Sequence, residues 1–163
     1  MANPHPTMNS IDDVYRAFGF TAEAGQLLET ELGTILLQIH GESLGLLTGE
    51  RPEEARAILE SINRSTLGQV IKKLQATTDQ LEHASEQLAQ ALAERNRLVH
   101  SFFRQHNNRR NSEEGRAVML ADLESMHAAI FAAYKLVLKI SGVDLNAISS
   151  QTLELPTRHL RLD

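Results

Sequence analysis

A chain of 163 residues, 42% hydrophobic and 23% charged with a net charge of −5, has the length and balance of one ordinary globular domain able to bury a real core. It carries no apolar run long enough to span a bilayer and no charged-then-apolar leader, and its acidic balance argues against a general nucleic-acid coat. Cysteine is absent, which excludes disulfides, Cys-based zinc sites and thiol nucleophiles and fits a cytoplasmic protein.

Residues 1–9 contain two prolines and no periodicity, which predicts a flexible lead-in. Ser10 can cap a short helix with Ile11, Val14 and Phe18 on one face, ending at Gly19. A long helix is expected from Thr21, its stripe Leu28, Leu32, Ile35 and Ile39, interrupted at Gly41 or Gly45. After a break at residues 49–52, Pro52 with Glu53 and Glu54 suits the first turn of another short helix. Thr66 and Gln69 form a capping box opening a helix through Val70, Ile71 and Leu74.

Thr77 and Gln80 can cap the next, long helix, predicted to run to about Gln105. Leu81, Leu88, Arg95 and Phe102 recur at heptad spacing along it, with Ser85, Leu92 and Val99 as a companion row. A polar loop at 106–111 leads to Ser112, a cap for the last long helix, with Glu113 and Glu114 in its first turn. The stripe of that helix is Met119, Leu123, Met126, Ile130, Tyr134 and Val137, and Gly142 ends it. Residues 143–163 form a weakly patterned tail. With no strand pattern and no internal repeat, the expected fold is all-α. It is a single helical bundle domain over 10–142, built on three long helices with short connecting helices.

Most chemical motifs fail on context. Gly41-Glu42-Ser43-Leu44-Gly45 matches a hydrolase nucleophile elbow, but that motif needs a strand before it and here a helical pattern precedes it. Hence it is read as a helix-breaking corner. His83 with Glu82 and Glu86, and His40 with Glu42, lack the spacing and third ligand of a catalytic metal site. There is no Gly-rich phosphate loop and no dinucleotide fingerprint, so no cofactor is expected. His127 flanks the last stripe as a half-buried histidine.

One constellation has chemical content. Arg95 falls on an apolar seam, where a guanidinium must be paired or lie in a polar cavity. Asn96 and His100 are four residues apart and neighbours on the same helix flank. Arg95 and His100 are about 140° apart around the helix, so one helix alone does not bring them together. The structural alternative is an ion pair of Arg95 with Asp122 or Glu29, and His100 bonded to backbone. From Arg95 to Ser112 there are five arginines (95, 97, 104, 109 and 110) and no acid, a basic island on an acidic chain.

At these residues the chain resembles HEPN domains. Arg95-Asn96-x-x-x-His100 on a long bundle helix is similar to their Arg-x(4–6)-His motif, in which a polar residue often follows the arginine. Thr66-Leu67-Gly68, Leu98-Val99-His100-x-Phe102-Phe103 and Ser112-x-x-Gly115 with Met119 and Leu123 extend the likeness to an uncharacterised bacterial subgroup, over roughly Thr66 to Tyr134. The resemblance implies an up-and-down bundle and a metal-independent endoribonuclease of the toxin or defence kind, its site shared across a homodimer. It implies His100 as general acid and base, Arg95 as stabiliser of phosphoryl oxygens and Asn96 as support. Arg97, Arg104, Arg109 and Arg110 are then candidates for steering RNA. A neutralising antitoxin partner is a further implication. The alternative function is an inactive module of the same shape that binds RNA, a nucleotide or a partner protein.

Overall fold

A computed structural model describes residues 9–43 and 51–143. Gly45 of the expected corner, the lead-in before Asn9 and the tail beyond Val143 lie outside them. Five α-helices run through the described residues: α1 (Ile11–Ser43), α2 (Pro52–Asn63), α3 (Leu67–Thr77), α4 (Ser85–Gln105) and α5 (Glu113–Ile140). Single 3-10 segments at Asp79–Ala84 and Arg109–Asn111 precede α4 and α5. No strand occurs among the described residues, so the fold is all-α with three long helices, as the periodicity predicts.

Several helix ends follow from local chemistry. Ser10 and Asp13 cap α1 reciprocally: the Ser10 amide donates to Asp13 Oδ2 (2.9 Å) and the Asp13 amide donates to Ser10 Oγ (3.1 Å). The capping box of Thr66 and Gln69 opens α3, and Ser112 Oγ accepts from the Gly115 amide at the start of α5. Gly142, at φ 82°, follows the end of α5 in the left-handed conformation that terminates helices.

Three expectations give way. Gly19 does not end a short first helix; α1 is one continuous helix of 33 residues. Its apolar stripe passes unbroken through Val14, Thr21, Ala24, Leu28 and Leu32, all buried. A glycine costs a helix about 1 kcal/mol relative to alanine, less than the burial of one leucine returns. Gly41 likewise lies within α1. Thr77 does not cap α4, because it still belongs to the last turn of α3 and its hydroxyl donates back to the Lys73 carbonyl (3.0 Å). The chain then passes through the 3-10 turn, and α4 begins at Ser85. Finally, the row accompanying Leu81, Leu88 and Phe102 in the core is Ala84, Ala91 and Leu98, whereas Val99 is 53% exposed. The buried stripe is rotated by one residue from the expected pairing.

Two apolar clusters result. The larger joins Leu28, Leu32 and Leu36 of α1 to Leu67 and Leu74 of α3, Leu88 of α4 and Ile130 and Val137 of α5. The smaller joins Val14, Leu98, Phe102, Met119, Leu123 and Met126. Thr21, buried on α1, donates to the Ala17 carbonyl (2.8 Å) and to the Leu123 carbonyl of α5 (3.4 Å). The α1–α5 and α4–α5 packings form the frame that displays α4.

Candidate functional site

Arg95 leaves α4 toward α1. Its Nη2 donates to Glu29 Oε2 at 3.2 Å and its Nη1 donates to Asn96 Oδ1 at 3.3 Å. The guanidinium is therefore paired, with Glu29 as the partner among the two carboxylates expected, and the pair is half-buried instead of sealed. Room for the arginine stem comes from Gly25 of α1, where a Cβ would lie 3.3 Å from Arg95 Cγ.

Beside it runs an open strip. Asn96, Val99, His100 and Phe103 are all exposed, and the His100 ring makes no hydrogen bond to any described residue. Phe103 packs on Phe18 and Tyr15 of α1, with ring centres 5.0 and 5.9 Å apart. Arg104 donates to Ser101 Oγ (3.1 Å), and Arg110 donates to the Tyr15 hydroxyl (3.2 Å). Within a single chain Arg95 and Asn96 meet directly, while His100 stands on the same strip without touching Arg95.

Arg97 goes the other way. It donates through two nitrogens to Asp122 of α5, at 2.9 and 2.7 Å, a bidentate fork, and through Nε to Glu94 Oε2 at 3.0 Å. The second Asp122 oxygen also meets His106 Nε2 at 2.7 Å, and His106 Nδ1 meets Arg109 Nη1 at 3.0 Å. Because a guanidinium only donates, Nδ1 must accept, so Nε2 carries the proton and donates to Asp122. This is a neutral tautomer with both nitrogens engaged. The ring is 3% exposed and lies 4.6 Å from the Phe102 ring centre.

The electrostatics match that closure. The Arg97 fork, aided by His106, holds the Asp122 carboxyl below the usual carboxylate range against the opposing effect of burial. The Asp122 hydrogen bonds in turn raise the Arg97 guanidinium, with Glu94 adding to the effect. Sequence reasoning missed this network, although Asp122 signals it. That residue lies three after Met119 and four before Met126, so it borders the buried stripe of α5 and requires a cationic partner. His106 was expected in a polar loop and is instead a buried wedge.

No cluster of three or more His, Cys, Asp or Glu side chains suited to a metal ion occurs among the described residues. No described helix is long and apolar enough to cross a membrane. Comparison with family models, curated proteins and solved structures finds no match. What the fold and site define is thus a class by geometry: an all-α bundle displaying an Arg–Asn–His strip on its fourth helix.

Proposed function

We propose that this chain is a metal-independent endoribonuclease of the HEPN kind, with its site completed by a second copy across the exposed face of α4. The observation that carries the proposal is the strip itself. His100 is solvent-exposed with both ring nitrogens uncommitted among the described residues, while Arg95 and Asn96 stand bonded to each other at its edge. Exposed Val99 and Phe103 on the same strip supply apolar surface for a two-fold contact. Such a contact turns each His100 toward the Arg95 of the other copy, a meeting that one helix alone does not provide.

In the proposed reaction the RNA 2′-oxygen bonds to the adjacent phosphorus as the bond from phosphorus to the 5′-oxygen breaks. One histidine accepts the 2′-hydroxyl proton and the other protonates the departing 5′-oxygen, leaving a 2′,3′-cyclic phosphate and a 5′-hydroxyl. An imidazole titrates near neutrality and suits both transfers. Arg95 stabilises the charge on the phosphoryl oxygens once they displace Glu29, which holds it through a single half-buried contact of 3.2 Å. Arg104, Arg109 and Arg110 steer the RNA by charge. Arg97 is left out of that role because Asp122 and Glu94 already hold it. The proposed setting is cytoplasmic, with a neutralising antitoxin as partner. The Arg95–Glu29 pair favours a second reading, an inactive module that binds RNA, a nucleotide or a protein through the same face.

The test is RNA cleavage in excess EDTA by the purified protein beside Arg95→Ala and His100→Ala variants checked for unchanged folding and assembly. Cutting with cyclic phosphate ends, lost in both variants, is the expected result. RNA binding without cutting supports the inactive module. Cleavage surviving both substitutions overturns the residue assignment.

A further inference from the structure

On the side of the bundle away from α4, α1 and α5 leave an apolar groove of about 480 Å³, lined by Phe20, Ala24, Leu27, Leu120, His127 and Phe131. On α1, Glu29, which pairs with Arg95, and Leu27, which lines the groove, are about 200° apart at ~100° per residue, so the groove is separate from the Arg95 strip. Phe20 is 58% exposed and Leu27 41% exposed. They lie seven residues apart, two helical turns or about 10 Å along the axis. His127 stacks on Phe131 with ring centres 5.4 Å apart, forming a rigid wall.

The edges of the groove are acidic. Glu23 of α1 and Glu124 of α5 both line it. Lys135 sits over the Phe131 ring at 5.4 Å, and Arg16, one turn before Phe20, is paired with Asp13 at 3.2 Å. This pattern selects among occupants. A second copy related by a two-fold axis through the groove would set the same glutamates against each other, at a like-charge cost. A small apolar ligand would cover the apolar lining but leave Glu23 and Glu124 without a counter-charge. An amphipathic helix with an apolar row and flanking lysines or arginines covers Phe20 and Leu27 and pairs both acidic edges.

We propose that the α1–α5 groove is a docking site for a cationic amphipathic helix of a partner protein. The probe is a Leu/Lys peptide of about 18 residues, five turns, with leucines at helical spacing. Its controls are a scrambled peptide of identical composition and a Leu/Glu counterpart, and binding is read by fluorescence anisotropy. The expected result is binding at least about tenfold tighter than either control. Leu27→Glu should abolish it, and Glu23→Lys with Glu124→Lys should weaken it while improving the Leu/Glu peptide. These side chains are exposed, and an unchanged thermal melt confirms the fold in each variant. Val99→Glu, on the α4 strip, should leave peptide binding intact, which separates this site from the proposed nuclease face. Equal binding of the scrambled peptide, or full binding by Leu27→Glu, overturns the proposal. So does a dimer of the free protein that Leu27→Glu dissociates, because the occupant is then a second copy.

Discussion

Arg95 and Arg97 are two residues apart on one helix and face opposite neighbours. At about 200° of separation, Arg95 reaches Glu29 on α1 and Arg97 reaches Asp122 on α5. The Arg97 side is closed: a bidentate fork, a second carboxylate and a buried histidine share the charge, and Arg109 completes the histidine. The Arg95 side is open, with one ion pair and an exposed amide and imidazole beside it. A saturated network of this sort holds helices together. An unsaturated strip has donors and acceptors left for a ligand, which is why the functional proposal rests on Arg95 and not on its better-connected neighbour.

That contrast can be broken first by removing the carboxylates. Asp122→Ala leaves Arg97 to Glu94 and deprives the buried His106 of its acceptor, and should cost about 1–3 kcal/mol, read as a lower urea midpoint at unchanged slope. A loss equal to that of Glu29→Ala would mean the two sides do not differ. Gly115→Ala should come next, at about 1–3 kcal/mol. A Cβ there would fall on the Arg109 carbonyl, so the turn carrying Arg109 must shift away from His106. The acid limb sharpens the comparison further. The folded-state pKa of Asp122 lies below its unfolded value of about 3.9. Its contribution is thus fully present above that pH and lost as pH falls through the folded value. The stability gap between wild type and Asp122→Asn should therefore shrink below about pH 4; a gap constant to pH 2 would contradict the network. The smallest effect belongs to Glu29→Ala, under about 1 kcal/mol, and it should leave Arg95 freer for phosphate.

Periodicity made the bundle legible because apolar spacing reports burial whatever the partner. Leu28, Leu32, Met119, Leu123 and Met126 are all buried at their expected spacings. Capping was legible where a side chain faces its own backbone, as at Thr66 and Ser112. At Thr77 and Gly19 it misled, since a hydroxyl can bond backward and a glycine is tolerated where flanking leucines dominate. The polar network was least legible. Arg97, His106 and Asp122 come from two helices and a turn, and no single-helix pattern tells which carboxylate each arginine will find. A seven-residue repeat placed Arg95 in the row of Leu81, Leu88 and Phe102, all buried, but could not tell that its guanidinium reaches Glu29 of α1.

The hydrogen bond from Thr21 to the Leu123 carbonyl joins residues 102 positions apart, and the α1–α5 packing as a whole has the same long reach. Closing a loop of that length is entropically slow compared with forming the neighbouring pair α4–α5. The expected order of assembly has α4 and α5 pairing first, with α1 docking onto that pair afterwards. Leu32→Ala in α1 should then mainly accelerate unfolding, whereas Leu98→Ala in α4 should slow folding. The opposite pattern in stopped-flow chevrons would place α1 in the folding nucleus.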